Sequence, residues 1–356
     1  MERRANGRGR RARWGRRSGG GMAAALVVLL LAGCGVFDTE DDERRARELA
    51  DAFHPGRLTV IGARSLVPEA TGSEVTFAVT DDPDAAVTLR LDASEERCEG
   101  GATCEEALAN ALERGLDRAA ELRLVRDAFE GCGHRVLAVD RQRAAPWIAV
   151  RITQQGLDGV LEELGACAQR WVTARAERGR LGDSRWVSVS VTTPARAGKL
   201  PAAGSDRPTA LRLTHGPRLA ALSAQPYYVV DFPVGDDAEH TVDAARPQMR
   251  IVEPFERREE FSQRIDASVL PLLRGTYPEA VATGGSGLGV WRLEPGRIDR
   301  VRGYVLFCAR PPEGGGRCLG DLAALVTADP EGGSAEVVRV LTDIRDERGV
   351  LDLPGV

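Results

Sequence analysis

Seven cysteines, four histidines and a serine set among glycines are the residues of this 356-residue chain with the clearest chemical potential. Gly284-Gly285-Ser286-Gly287-Leu288-Gly289 is the segment closest to a nucleophile motif. It is not G-x-S-x-G, because Leu288 stands where the last glycine is required, and no phosphate-binding glycine pattern fits it. A nucleophile also needs a base and a group to orient that base. His215 and His240 would serve only if the fold carried them there, so the segment reads as a flexible glycine loop. Cys132-Gly133-His134 offers two metal ligands, but the paired spacings of zinc sites are missing. Asp81, Asp82 and Asp84 surround Pro83 in a stretch too short for a calcium loop, and read as a hairpin turn. Asp236-Asp237-Ala238-Glu239-His240 reads as a solvated acidic loop, and His54 as part of a helix-ending turn. No catalytic residue, metal or cofactor is assigned, and a protein without enzymatic activity is favoured over an enzyme.

The strongest chemical signal lies at Cys34. Eight arginines between Arg3 and Arg17 precede an apolar core from Met22 to Leu31, and Leu31-Ala32-Gly33-Cys34 follows at once. The apolar stretch is far shorter than the ~20 residues of a spanning helix, and charge, core and cysteine stand in the order of an export signal. The tetrapeptide resembles the bacterial lipobox, which implies diacylglycerol on the Cys34 thiol and removal of residues 1–33. Two or three palmitate-like acyl chains on one residue give stable anchoring, at about 0.8 kcal/mol per buried methylene. Arg16-Arg17 lacks the neighbours of a fuller twin-arginine motif, so ordinary secretion is the preferred export route.

Beyond Cys34 there remain Cys98, Cys104, Cys132, Cys167, Cys308 and Cys318, an even number in an oxidising compartment. Local spacing favours Cys98–Cys104 around a glycine-rich loop and Cys308–Cys318 across a hairpin tip. Cys132–Cys167 would then tie two helices, leaving no free thiol for a metal.

Removing residues 1–33 takes eight of 48 basic and one of 53 acidic residues, leaving a mature chain of net charge −12. Such a surface is poorly suited to nucleic acid. Lys199 is the only lysine.

The elements that must position these residues follow from periodicity. Residues 34–56 read as a tether with a solvated acidic run, Asp38 to Glu43, leading into a short helix. Residues 57–197 form a first domain. Its strands are at Leu58–Ile61, Val75–Val79, Ala86–Leu91, Val136–Val139, Trp147–Ile152 and Trp186–Val191. Its helices run from Cys104 to Phe129 and from Leu157 to Ala176, and Trp147, Trp171 and Trp186 read as core. Residues 198–208, rich in Gly, Ala and Pro, read as a linker. Residues 209–356 form a second domain. It has extended segments at Ala210–Leu213, Tyr227–Phe232 and Gln248–Val252, a helix from Glu253 to Leu273, and a meander over Gly289–Leu293, Val301–Ala309, Leu322–Thr327 and Glu336–Thr342. The expected class is α+β: two tandem sandwich-like units with mainly antiparallel sheets, the first ferredoxin-like in outline.

The lipobox, the Gly72-Ser73-Glu74-Val75-Thr76-Phe77-Ala78-Val79 strand, the Cys132-Gly-His134 turn and the Pro146-Trp147-Ile148 strand entry together resemble an uncharacterised family of actinobacterial lipoproteins. The likeness covers much of residues 22–195. It implies export, attachment to membrane lipid at Cys34 and a place on the extracytoplasmic face of the cell membrane. It brings no activity or catalytic residues. The expected function is therefore a membrane-anchored binding or scaffold protein whose partner is an envelope protein or a small ligand. The alternatives are a transporter's solute-binding lipoprotein and an extracytoplasmic hydrolase.

Overall fold

In the computed structural model the described residues are 39–355, apart from 67–70, 102, 141–144, 182–184, 238 and 287–288. Cys34 and the whole leader lie outside them. The chain is α+β, with two sheets whose strands are mostly antiparallel.

Helix α1 (Glu40–Phe53) opens the fold and strands β1 (Leu58–Ser65), β2 (Ser73–Val79), β3 (Asp82–Asp92) and β4 (Arg97–Cys98) make the first sheet, in that spatial order. Alternation drives the packing. Val75, Phe77 and Val79 of β2 point to one face, and Val75 pairs with Leu89 and Phe77 with Val87 across the antiparallel register. That face is covered by α1 and by the first half of α2 (Cys104–Glu130), through Ala46, Leu49, Leu108 and Leu112. Helix and sheet come close at Gly115, where a Cβ would stand 2.7 Å from the Ala86 carbonyl oxygen.

The acidic run at the start of α1 is not a solvated stalk throughout. Asp42 is buried and accepts a 2.8 Å hydrogen bond from the Ala93 backbone N–H, so the helix is seated on the sheet from its first turn. The hairpin also differs from the expected turn, since β3 already begins at Asp82.

The second half of α2 serves a different core. Leu122, Val125 and Phe129 join Leu164 and Trp171 of α3 (Leu157–Ala176), with the Phe129 and Trp171 rings 6.3 Å apart edge to face. These helices lie on a ten-stranded sheet. Its strands are β5 (Val136–Val139), β6 (Pro146–Ala149), β7 (Trp186–Thr192), β8 (Tyr227–Pro233), β9 (Gln248–Val252), β10 (Val281–Ala282), β11 (Arg292–Leu293), β12 (Val301–Cys308), β13 (Leu322–Ala328) and β14 (Glu336–Leu341). Their order is 14-13-12-11-9-8-7-6-5, with β10 beside β12. The one parallel pair among these, β6 with β7, is joined by α3 as a β-α-β crossover.

This sheet runs straight through the expected domain boundary. Strand β7, before residues 198–208, pairs antiparallel with β8, after them, from Trp186↔Pro233 to Val191↔Tyr228. The break between sheets falls instead between β4 and β5, with α2 spanning both cores. A ferredoxin-like first unit is likewise not formed, because the strands before and after α2 belong to different sheets.

Residues 198–208 are a connection between short helices α4 (Pro194–Ala197) and α5 (Thr209–Leu213), mostly exposed but with Ala203 and Pro208 buried. Ala210–Leu213, expected as extended chain, is thus helical; Ala210 and Leu213 face the core at i, i+3 spacing. Helix α6 (Gly216–Ser223) follows, with Pro217 in its first turn. Helix α7 (Phe255–Leu273) covers the second sheet through Phe261, Ile265 and Val269. Trp147 and Trp171 are core residues as their periodicity suggests, but Trp186, at the first position of β7, is 43% exposed.

The cysteines pair as spacing suggests: Cys98 with Cys104, Cys132 with Cys167 and Cys308 with Cys318, at Cα separations of 5.1, 6.0 and 5.9 Å. The middle pair ties the end of α2 to α3.

Candidate functional site

The residues singled out by type do not assemble a reaction centre among the described residues. Ser286 is buried, and its hydroxyl donates a 2.5 Å hydrogen bond to Asp266 Oδ1 on α7, while its carbonyl accepts the Trp291 indole N–H at 2.8 Å. Burial holds the Asp266 carboxyl above the usual aspartate range, and the Ser286 hydrogen bond only partly offsets this. The pair braces the glycine segment against α7. His134 approaches Glu163 of α3 at 3.2 Å, and its neighbour Cys132 is spent in a disulfide. Asp82 takes Arg123 at 2.8 Å and Asp84 takes Arg126 at 3.2 Å, so the hairpin carboxylates are neutralised by α2. Asp237 accepts backbone N–H groups from Glu239 and Thr241, which closes the acidic loop on itself. No group of three or more metal-ligating side chains occurs among the described residues.

What the fold does assemble is a recess of about 580 Å³ walled by the end of α2, the start of β5, residues 202–206 and helices α5 and α6. Its floor is apolar, from Val136 and Leu213. Four arginines face it from three elements and one connection: Arg126 on α2, Arg135 ahead of β5, Arg212 on α5 and Arg218 in the first turn of α6. Two carboxylates, Glu130 and Asp206, share the lining.

The arginines differ in how they are held. Arg126 is paired with Asp84 and Asp127. Arg218 is fixed by carbonyls rather than by acids: its Nε donates to Pro201 O at 3.1 Å and its Nη1 to Leu137 O at 3.3 Å. Burial first, then the positive charges of Arg135 and Arg212, draw Arg218 below the usual arginine range. Arg212 Nη2 donates to Thr209 Oγ1 at 2.8 Å, whereas its buried Nε has no partner among the described residues.

Asp84 links the recess to the first sheet. Burial opposes its ionisation, but a Thr209 hydrogen bond and the Arg126 and Arg123 side chains hold it below the usual aspartate range. His215 stands just before α6 without a side-chain capping bond; burial and the charges of Arg207 and Arg218 lower its proton affinity.

Sequence reasoning missed this site. Its arginines come from widely separated stretches, in a chain where almost every cation is arginine. One signal was present: Arg207, Arg212, His215 and Arg218 fall within a dozen residues of an otherwise acidic mature chain.

Comparison of the chain with protein-family models, with curated proteins and with solved structures finds no match.

Proposed function

We propose that this chain is an extracytoplasmic lipoprotein, held at the cell membrane through acylated Cys34, that works by binding rather than by catalysis. The observation that carries the reading is the succession of arginine-rich segment, short apolar core and Leu31-Ala32-Gly33-Cys34. The likeness to actinobacterial lipoproteins points the same way. Helix α1 starts at Glu40, six residues beyond Cys34, a span of at most about 22 Å of extended chain. The anchored fold would therefore ride close to the bilayer surface with α1 and the first sheet nearest the lipid.

The binding half of the proposal draws on the arginine-lined recess, which gathers charged side chains from four separate stretches of the chain. Ser286, the side chain with the most nucleophile-like setting in the sequence, is sealed against Asp266 instead.

Cys34→Ala tests the anchor. Fractionation of cells producing this variant should find the chain released from the membrane or retained as an uncleaved precursor. A correctly cleaved variant that stays on the membrane would contradict the reading.

A further inference from the structure

We propose that the recess between α2, β5, α5 and α6 binds a phosphate group, carried either by a soluble phosphate compound or by the headgroup of an anionic phospholipid. The inference rests on the binding half of the function proposed above and does not depend on the anchor. Arg126 is already matched by Asp84 and Asp127, so Arg135, Arg212 and Arg218 face the lining carboxylates Glu130 and Asp206 with a surplus of one positive charge, on a mature chain that is otherwise strongly acidic. Some of this protein's arginines are matched to acids, as in Arg123 with Asp82, Arg175 with Glu121 and Arg250 with Asp231, and others are not. In the recess, Arg135, Arg212 and Arg218 form no ion pair with any described residue.

Holding like charges together in a partly buried hollow is unfavourable unless something of opposite sign completes it. Burial, and after it neighbouring guanidinium charge, weakens proton binding at Arg218 and His215. Arg212 also buries an Nε donor with no acceptor, which costs the desolvation of that group. An anion seated there would relieve both strains.

The donor set selects among anions. Guanidinium forks match carboxylate and phosphate alike, but a single carboxylate brings two oxygens and one charge. Three arginines reaching in from the β5 approach, α5 and α6 can use a third oxygen and a second charge, which a terminal phosphate (a monoester or inorganic phosphate) supplies and a phosphodiester does not. The carbonyl braces on Arg218 and the Thr209 contact on Arg212 hold two of these forks in place before a ligand arrives. The apolar floor of Val136 and Leu213 leaves room for a carbon skeleton attached to the phosphate.

The test uses the full chain, purified in detergent, with inorganic phosphate and pyrophosphate as probes and chloride at matched ionic strength as the reference. Phosphate or pyrophosphate should raise the melting temperature saturably, by mass action, where chloride does not. Arg135→Gln is the informative variant, because Arg135 is exposed and bonds to no described residue, so its loss leaves the fold intact. It should weaken binding about tenfold, the usual effect of losing a charged hydrogen bond. Arg212→Gln is the second variant, with the same expectation.

In a parallel arm, vesicles of phosphatidylcholine with and without phosphatidic acid, whose headgroup is a terminal phosphate, are compared. Extra retention on the anionic vesicles, abolished by Arg135→Gln, supports the proposal and identifies the headgroup as the source. A response to the soluble probes alone supports it with a free phosphate compound. Failure of both arms, or equal binding by wild type and Arg135→Gln, overturns it. If Cys34→Ala still frees the chain from the membrane in that case, the anchored-lipoprotein reading survives and the recess assignment alone is lost.

Discussion

Endoproteinase Lys-C cuts after lysine, and Lys199 is the chain's only lysine, so one treatment divides the protein into residues 1–199 and 200–356. Lys199 is exposed on the connection between α4 and α5. No disulfide crosses the cut, since the pairs are Cys98–Cys104, Cys132–Cys167 and Cys308–Cys318. Anything that keeps the halves together must be non-covalent. Strand β7 lies in the first fragment and β8 in the second, and on one face of their pairing Val187 and Val189 stand opposite Phe232 and Val230, with Val191 alongside. Each of these five is at most 3% exposed. At about 1.5–3 kcal/mol per side chain, separating the fragments would re-expose roughly 7–15 kcal/mol of burial on that face alone. Leu213 and Leu222, also in the second fragment and buried, add to it. Micromolar association needs about 8 kcal/mol net, beyond a cost of roughly 4–15 kcal/mol for lost rigid-body freedom. The β7–β8 face supplies the larger part and the packing of α5 and α6 the remainder. Gel filtration of the nicked protein at micromolar concentration should therefore show both fragments in one peak, separating only in denaturant. Two native peaks would refute the continuous sheet and restore independent domains divided at residues 198–208. Producing the two fragments as separate chains gives the same test without protease.

Among the disulfides, Cys132–Cys167 closes the longest loop, with a sequence separation of 35 against 6 and 10. Chain entropy assigns it about 4 kcal/mol and the shortest loop about 2 kcal/mol. Paired alanine replacement at Cys132 and Cys167 should therefore lower denaturant stability most, and an equal loss from replacing Cys98 with Cys104 would contradict this. The raised Asp266 carboxyl makes a pH prediction. Its contribution to stability is present below the ordinary aspartate value and is lost as pH rises through the higher folded value. Asp266→Asn, which keeps an acceptor for Ser286, should melt above wild type at neutral pH and converge with it near about pH 4. A constant gap across that range would mean that Asp266 ionises in the fold as freely as in water.

The periodic segments were legible because each carries its own packing pattern. Leu157–Ala176 and Val136–Val139 could be bounded from alternation and helical spacing, and the cysteine pairs from the loops they close. What escaped was information held by residues far apart in the chain. Nothing local to Trp186–Thr192 says that, besides β6 in its own half, it pairs with Tyr227–Pro233 in the other. The Gly/Ala/Pro composition of residues 198–208 suits a linker between domains, and equally suits a connection between two elements of one sheet-spanning unit. The recess was invisible for the same reason: Arg126, Arg135, Arg212 and Arg218 meet only after the two halves share a sheet. At Ser286 the motif register and the lack of a neighbouring base or orienting group point away from a nucleophile, and the partner its hydroxyl has is Asp266.

Intact-mass measurement of the chain extracted from bacterial membranes tests the proposed anchored lipoprotein most directly. Loss of residues 1–33, with a diacylglycerol-modified Cys34 as the new N-terminus, is the predicted result. A chain that keeps its leader, or one cleaved elsewhere and carrying no lipid, would contradict it.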